Sequence, residues 1–475
     1  MTLVRVGRTL GMVALFLVCA SCGETFRPVA IPITPTPPNP SFLHYVLSLS
    51  SNGVCPPQLG QPCAPGATSR IDVSGDSDVA TAQVGLGPVH AALLSGASQV
   101  FVANQMEDTV SYYSPSSIGP ISTVSLPAGS RPNFVATTES ATVYVAIPGA
   151  GTAPGTVAAI QASSGVVLNS TPVGVNPLAL AETPDGKKVY AANQGSGTVT
   201  AINSSDKSVN ATIPTGAAPV WLAVRNDSQR VYVLNSGDGT VSAINTASDT
   251  TVASASVGAG GNFLVYDKTL NRLYVTNPTA STVTVLNSST DALTVLRTIS
   301  FTAGSAACPS GCTPLSIAAL PDGSRIYVAS ATTSATCTDT GDASNATYHL
   351  GCISTQVTVI KASDFSITKS IPITLSNNSV TPATTKPDTG IVPMCNNARF
   401  RLFAAPASDS TRVYVAYCDA GSTAIVRTTP NTSPGTENSG DYLVGSLNAP
   451  VSALSPLVGN SQPPAQNPVF VLAAP

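Results

Sequence analysis

Residues 190–203 read YAANQGSGTVTAIN, residues 232–245 read YVLNSGDGTVSAIN and residues 274–287 read YVTNPTASTVTVLN; the leading tyrosines, Tyr190, Tyr232 and Tyr274, stand 42 residues apart at both steps. A fixed period of about 20–50 residues marks stacked supersecondary units, and four-stranded propeller blades fall near 40–45. Residues 177–216 hold one clean unit, in which turns separate four short apolar runs. The sequence predicts strand A over Leu178–Glu182, B over Val189–Asn193, C over Thr198–Asn203 and D over Val209–Pro214. Alternation in TVTAIN and VYVLN has the period of two that pleated strands require. Gly195 and Gly197 are expected to supply positive φ in the B–C hairpin. No unit can bury its two faces alone, so neighbours must stack and the ring must close.

Composition agrees. Charged residues make up 9% of the 475, where about 25% is usual, and the 39 Pro and 37 Gly are spread along the chain. Polar positions go to Ser, Thr, Asn and Gly, which suit strands and tight turns more than helical surfaces. The class is all-β.

The N-terminus reads as a targeting segment. Arg5 and Arg8 precede an apolar run, Leu10 to Ala20, too short for a permanent membrane span, and Ala20-Ser21-Cys22-Gly23 follows. Small residues before a cysteine resemble the bacterial lipobox, although Cys19 replaces the usual Leu. That resemblance implies a signal peptide over 1–21, lipidation of Cys22 and, with Gly23 rather than Asp, the outer membrane. Residues 22–41 include the run PVAIPITPTPPNP and form the expected tether, and 42–475 the propeller. Without Arg5 and Arg8, 19 basic residues face 24 acidic ones, which argues against wholesale binding to nucleic acid.

The repeat resembles the YVTN β-propeller proteins of surface layers and bacterial secretion, from about Tyr45 to the C-terminus. Phe101, Tyr144, Tyr190, Tyr232, Tyr274, Tyr327 and Tyr414 anchor seven full units. Tyr45-Val46-Leu47 begins an eighth strand B, and its missing strand A is expected from Pro468–Pro475, which repeats the Pro-to-Pro spacing of Pro177 and Pro184. Eight blades are therefore expected. Seven, the family's habit, is the alternative, as is a two-plus-two closure with Val451–Leu454 as strand A and Val469–Leu472 as strand B.

Insertions lengthen the spacing to 53 from Tyr274 to Tyr327, to 87 from Tyr327 to Tyr414 and to 56 from Tyr414 to Phe470. Propellers send D–A and B–C loops to one face and A–B and C–D loops to the other. Cys55, Cys63, Cys308, Cys312, Cys337, Cys352, Cys395 and Cys418 all map to D–A or B–C loops, on one arc of one face. In an oxidising compartment an even set reads as disulfides, with 55–63, 308–312, 337–352 and 395–418 the economical pairing. Zinc at Cys308 and Cys312 lacks a nearby His. Lys187, Lys188, Arg230, Lys268, Arg272, Arg325 and Arg412 sit near A–B turns, and Glu107, Asp108, Asp238, Asp339, Asp342, Asp419, Arg131, Arg399 and Arg401 on the cysteine face. Both sets read as solvated turn chemistry.

Chemistry is sparse. His44, His90 and His349 are too few for a copper cluster and show no nucleophile partner. His90 and Trp221 read as structural residues of inner strands, and Asp72, Asp76 and Asp78 as a C–D turn before a calcium site. No catalytic residue, metal or cofactor is expected. The leading expectation is a tethered, non-enzymatic binder or scaffold that presents its disulfide-stapled face to a protein or glycan. The alternatives are a lactonase-like hydrolase with a central-channel site and a cell-surface structural component.

Overall fold

The computed structural model describes residues 45–51, 65–137, 141–290, 292–333, 353–373, 399, 401–418, 420–430, 440–450 and 466–474. The expected leader, Cys22 and the tether lie outside them. The described strands form eight four-stranded antiparallel sheets, numbered here as blades 1 to 8 in chain order. Among the described residues no helix is long and apolar enough to cross a membrane.

Blade 4 shows why the repeat folds this way. Its strands are Pro177–Glu182, Lys188–Asn193, Thr198–Asn203 and Val209–Pro214, innermost to outermost. Strands B and C are buried on both faces because each blade lies between two neighbours, and only strand D is largely exposed. The Asn that ends strand B clamps the hairpin. Asn193 Nδ2 donates to Thr198 Oγ1 at 3.1 Å and Thr200 Oγ1 at 2.9 Å. Asn104 and Asn235 repeat both bonds in blades 2 and 5. The hairpin glycines divide their roles. Gly197 takes the left-handed φ of 64°, whereas Gly195 is needed for space, since a Cβ there would lie 2.6 Å from Val175 Cγ1.

The tyrosines of the motif are fully buried, and the hydroxyls of Tyr190, Tyr232 and Tyr327 bind the next blade. Tyr190 Oη donates to Asp249 at 2.6 Å, and Tyr327 Oη to Asp441. Two residues before each of these tyrosines a cation joins the same acid: Lys188 meets Asp249 at 2.6 Å and Arg325 meets Asp441 at 2.6 Å. Arg412 likewise holds Asp76 through Nε at 2.7 Å and Nη2 at 3.0 Å. Asp76, Asp249 and Asp441 occupy one position of the C–D turn, with φ of 49°, 50° and 51°, a left-handed conformation that Asp tolerates. Where that position holds Phe365, Arg272 lies over its ring at 5.0 Å instead. The expectation of solvated A–B cations is corrected here: Lys188, Arg272, Arg325 and Arg412 are fasteners between blades. Lys187, with 79% of its side chain exposed, and the exposed Lys268 remain as expected, whereas Arg230 is buried.

Closure is one strand plus three. Asn467–Ala473 forms strand A of blade 1 and pairs antiparallel with Tyr45–Ser51, Val46 opposite Ala473 and Leu49 opposite Phe470. The eight-blade count therefore holds. Val469–Leu472 belongs to an inner strand, which overturns the two-plus-two closure. Ser48 Oγ and Thr423 Oγ1 at 2.8 Å, together with Arg412–Asp76, tie blade 1 to blade 8.

Candidate functional site

The inner strands converge on the propeller axis. Strand A is the inner edge of each sheet, so a Pro without an N–H is tolerated near its start, as at Pro88, Pro177, Pro219, Pro314 and Pro468. Two residues after these prolines stand His90, Ala179, Trp221, Ser316 and Phe470. Phe134, Phe263 and Phe403 complete the set in blades 3, 6 and 8. Six of these eight side chains are rings, and their contacts close a circuit. His90 stacks on Phe134 with centroids 3.8 Å apart; Phe134 meets Trp221 at 5.6 Å and Trp221 meets Phe263 at 4.7 Å. Phe263 meets Phe403 at 5.4 Å, Phe403 meets Phe470 at 4.3 Å, and Phe470 returns to His90 at 4.5 Å. The small Ala179 and Ser316 let the rings on either side of blades 4 and 7 touch. Edge-to-face and tilted pairs of this kind add about 0.5–1.5 kcal/mol each beyond burial. The circuit constricts the channel with apolar surface.

Arg399 sits against it. Nη1 donates to the Leu178 carbonyl at 2.7 Å and Nη2 to the Val220 carbonyl at 2.8 Å, while the guanidinium lies 5.3 Å from the Phe134 centroid and 4.9 Å from that of Trp221. Burial pulls its pKa down to about 9, and a guanidinium keeps its charge at neutral pH. This corrects the expectation that Arg399 belongs to a solvated surface: it reaches into the ring and joins blades 3, 4 and 5.

His90 has the structural role expected of it. Its Nδ1 accepts the Val135 N–H at 3.4 Å, so its proton is placed on Nε2. Burial, reinforced by the charge of Arg399, holds its pKa well below the ordinary value. The folded state therefore resists a proton that the unfolded chain accepts near pH 6.5, and His90's contribution is lost as the pH falls. Between about pH 6.5 and 5, stability is expected to drop by up to about 1.4 kcal/mol per pH unit. Urea midpoints of the wild type and His90→Gln, measured across that interval, check this. The variant should be flat, and a wild type equally flat would refute the assignment.

The cysteine face is knitted down where it is described. Cys308 and Cys312 form a disulfide and are buried. The carbonyl of Ala307 accepts from Gln356 Nε2 at 2.9 Å and Thr358 Oγ1 at 3.1 Å, and Thr332 Oγ1 donates to the Gly311 carbonyl at 2.9 Å. Cys418 is buried and disulfide-bonded. Cys55, Cys63, Cys337, Cys352 and Cys395 lie outside them too, as do Asp339, Asp342 and Asp419. The acids that are described have partners in backbone N–H groups. Glu107 accepts from Leu86, Asp108 from Gly129 and Arg131, and Asp238 from Ala217. Strands B and C of blade 7 (Arg325–Thr333 and Ile353–Lys361) extend their ladder to Thr333 opposite Ile353, and the sequence that joins them contains Cys337 and Cys352.

The Asp72-Asp76-Asp78 group is a C–D turn. Asp72 accepts from Ser74 and Gly75, and Asp76 is held by Arg412. Among the described residues no cluster of His, Cys, Asp and Glu is arranged for a metal. Two features were missed in the sequence: the ring circuit and Arg399. The first has a signal, since its members lie at one offset along strand A.

No protein-family model matches the sequence, and no curated protein does. Solved structures do. A chain of hydrazine synthase from Kuenenia stuttgartiensis superposes with a TM-score of 0.50 at 16% identity, over 72% of this chain and 96% of that one. The β-propeller domain of Cps50 (Swd1) from Myceliophteria thermophila gives 0.50 at 7% identity, over 72% and 97%. At such identities the likeness is one of fold.

Proposed function

We propose that the chain is an exported propeller, tethered to the outer membrane through a lipid on Cys22, that works without catalysis as a binding or scaffold protein. Its partner is a protein or glycan held on the cysteine-bearing face. The observation that carries this reading is the constricted axis. The position where a lactonase-like site would gather acids and bases is occupied by six aromatic groups and one arginine. The sequence assigns the long departures from the 42-residue repeat to D–A and B–C loops instead, and long loops in compact domains are usually functional or disordered.

The test uses the mature, oxidised chain as bait for outer-membrane extract, with a variant in which Gly-Ser-Gly replaces the residues between Cys337 and Cys352. The ladder ending at Thr333 and Ile353 leaves the two ends of the insertion side by side, so melting should be unchanged while capture falls about tenfold or more. Undiminished capture by the trimmed chain, with loss in Lys187→Ser, would place the working face on the other side. Lys188 is unsuitable as that control because its pair with Asp249 joins blades 4 and 5. Self-association without a partner would favour the structural alternative. Fatty-acid labelling that survives Cys22→Ser would remove the tether.

A further inference from the structure

A cavity of about 350 Å³ opens on the face away from the cysteines, between the A–B turn of blade 5 and the A–B and C–D turns of blade 6. Its volume is near the lower end of the range of about 300–1,000 Å³ found for small-molecule sites. Arg225, Asn226 and Asp227 line one side; Tyr266, Lys268 and Asn271 line the other, with Ser288 and Ser289 between them. At three other junctions on this face neighbouring A–B turns are bridged directly. Ser228 Oγ accepts the Asp185 N–H at 2.9 Å, Thr269 Oγ1 donates to the Pro321 carbonyl at 2.8 Å, and Ser410 Oγ accepts the Asp322 N–H at 3.1 Å. Blades 5 and 6 instead stand around the cavity.

Four of the lining side chains are held before any ligand arrives. Arg225 Nε lies 2.9 and 3.0 Å from the two oxygens of Asp227, and its Nη2 donates to Gln229 Oε1 at 3.3 Å. Asp227 is thereby committed to Arg225. Tyr266 Oη donates to Asn271 Oδ1 at 2.8 Å, which turns the Asn271 amide so that Nδ2 is its remaining group. Lys268 is exposed and makes no ion pair among the described residues. Among the described residues the lining thus offers one ammonium without an ion-pair partner, two side-chain amides and a half-buried tyrosine ring. It is rich in donors, and it has little of the apolar wall that a hydrophobic ligand needs.

We propose that this cleft binds a uronic-acid residue of an acidic polysaccharide, its carboxylate on Lys268 and its hydroxyls on the Asn226 and Asn271 amides. A neutral sugar would leave the ammonium without its partner. A small inorganic anion would leave the amides unused. This site is separate from the rim assigned above, so either reading can fail without the other.

Calorimetric titration with trigalacturonate, maltotriose and inorganic phosphate tests it. Trigalacturonate is expected to bind saturably and to weaken as salt rises. Lys268→Gln should cost tenfold or more in affinity with unchanged melting. Asp227→Asn, which frees the charge of Arg225, should raise affinity several-fold. Failure of trigalacturonate to bind, equal binding of maltotriose, or an unaffected Lys268→Gln variant would overturn the proposal. Phosphate binding as tightly as trigalacturonate would also overturn it, reducing the cleft to a simple anion trap.

Discussion

Removing residues 468–475 is expected to yield insoluble protein, or a soluble chain that has lost most of its thermal stability. The deleted segment supplies nearly all of strand A of blade 1. Val469, Phe470 and Val471 are buried, and burying a side chain of that size contributes about 1.5–3 kcal/mol. Phe470 also links His90 to Phe403 in the ring circuit. These losses approach the whole stability of a typical domain, about 5–15 kcal/mol. They also leave Tyr45–Ser51 as a bare strand edge, ready to pair with another chain. Solubility and thermal scans of the truncated chain measure the effect, and a synthetic peptide of residues 466–475 should partly restore melting. Native-like melting without the segment would show that closure does not depend on it.

The second large effect is expected at the fastener across that seam. In Asp76→Ala, the guanidinium of Arg412, with 6% of its side chain exposed, remains buried without its carboxylate. Breaking a buried pair from one side costs about 3–5 kcal/mol, because the surviving charge stays desolvated. Replacing both partners by apolar residues, Asp76→Leu with Arg412→Met, should recover most of that loss. The single and double variants, compared by urea denaturation, separate the pair's net contribution from the penalty of an orphaned charge. A single variant that loses less than about 1 kcal/mol would indicate that the pair is solvated like a surface bridge.

Much of the fold is legible because its signals are local. Tyr190, Tyr232 and Tyr274 fall at one interval, and each strand of these units lies within a few residues of its partner. Even the latch is readable, since Pro468 to Pro475 copies the spacing of other inner strands. What stays hidden involves groups without a sequence signature. Arg399 donates to the carbonyls of Leu178 and Val220, at separations of 221 and 179 residues, and every residue type carries a carbonyl. The fasteners are hidden for a different reason. Lys188 and Asp249 look like ordinary turn charges until the residue two before Tyr in one blade is compared with the left-handed position of the next blade's C–D turn. The rim resisted reading most, because Cys308, Cys312 and Cys418 reveal oxidation without revealing a ligand.

The ring circuit also acts as a counting device. Its members sit at one offset in successive blades, and Ala179 and Ser316 are spaced so that the other six rings just meet. Duplicating or deleting a single unit would change the circumference that those rings must span. An insertion would leave a gap lined by Phe and Trp, and a deletion would force rings into one another. Either change would demand compensating substitutions in blades far from the altered one. Adding or losing one unit therefore carries a packing cost at the axis as well as at the seam between the chain ends. The number of blades is thereby coupled to packing shared among His90, Phe134, Trp221, Phe263, Phe403 and Phe470.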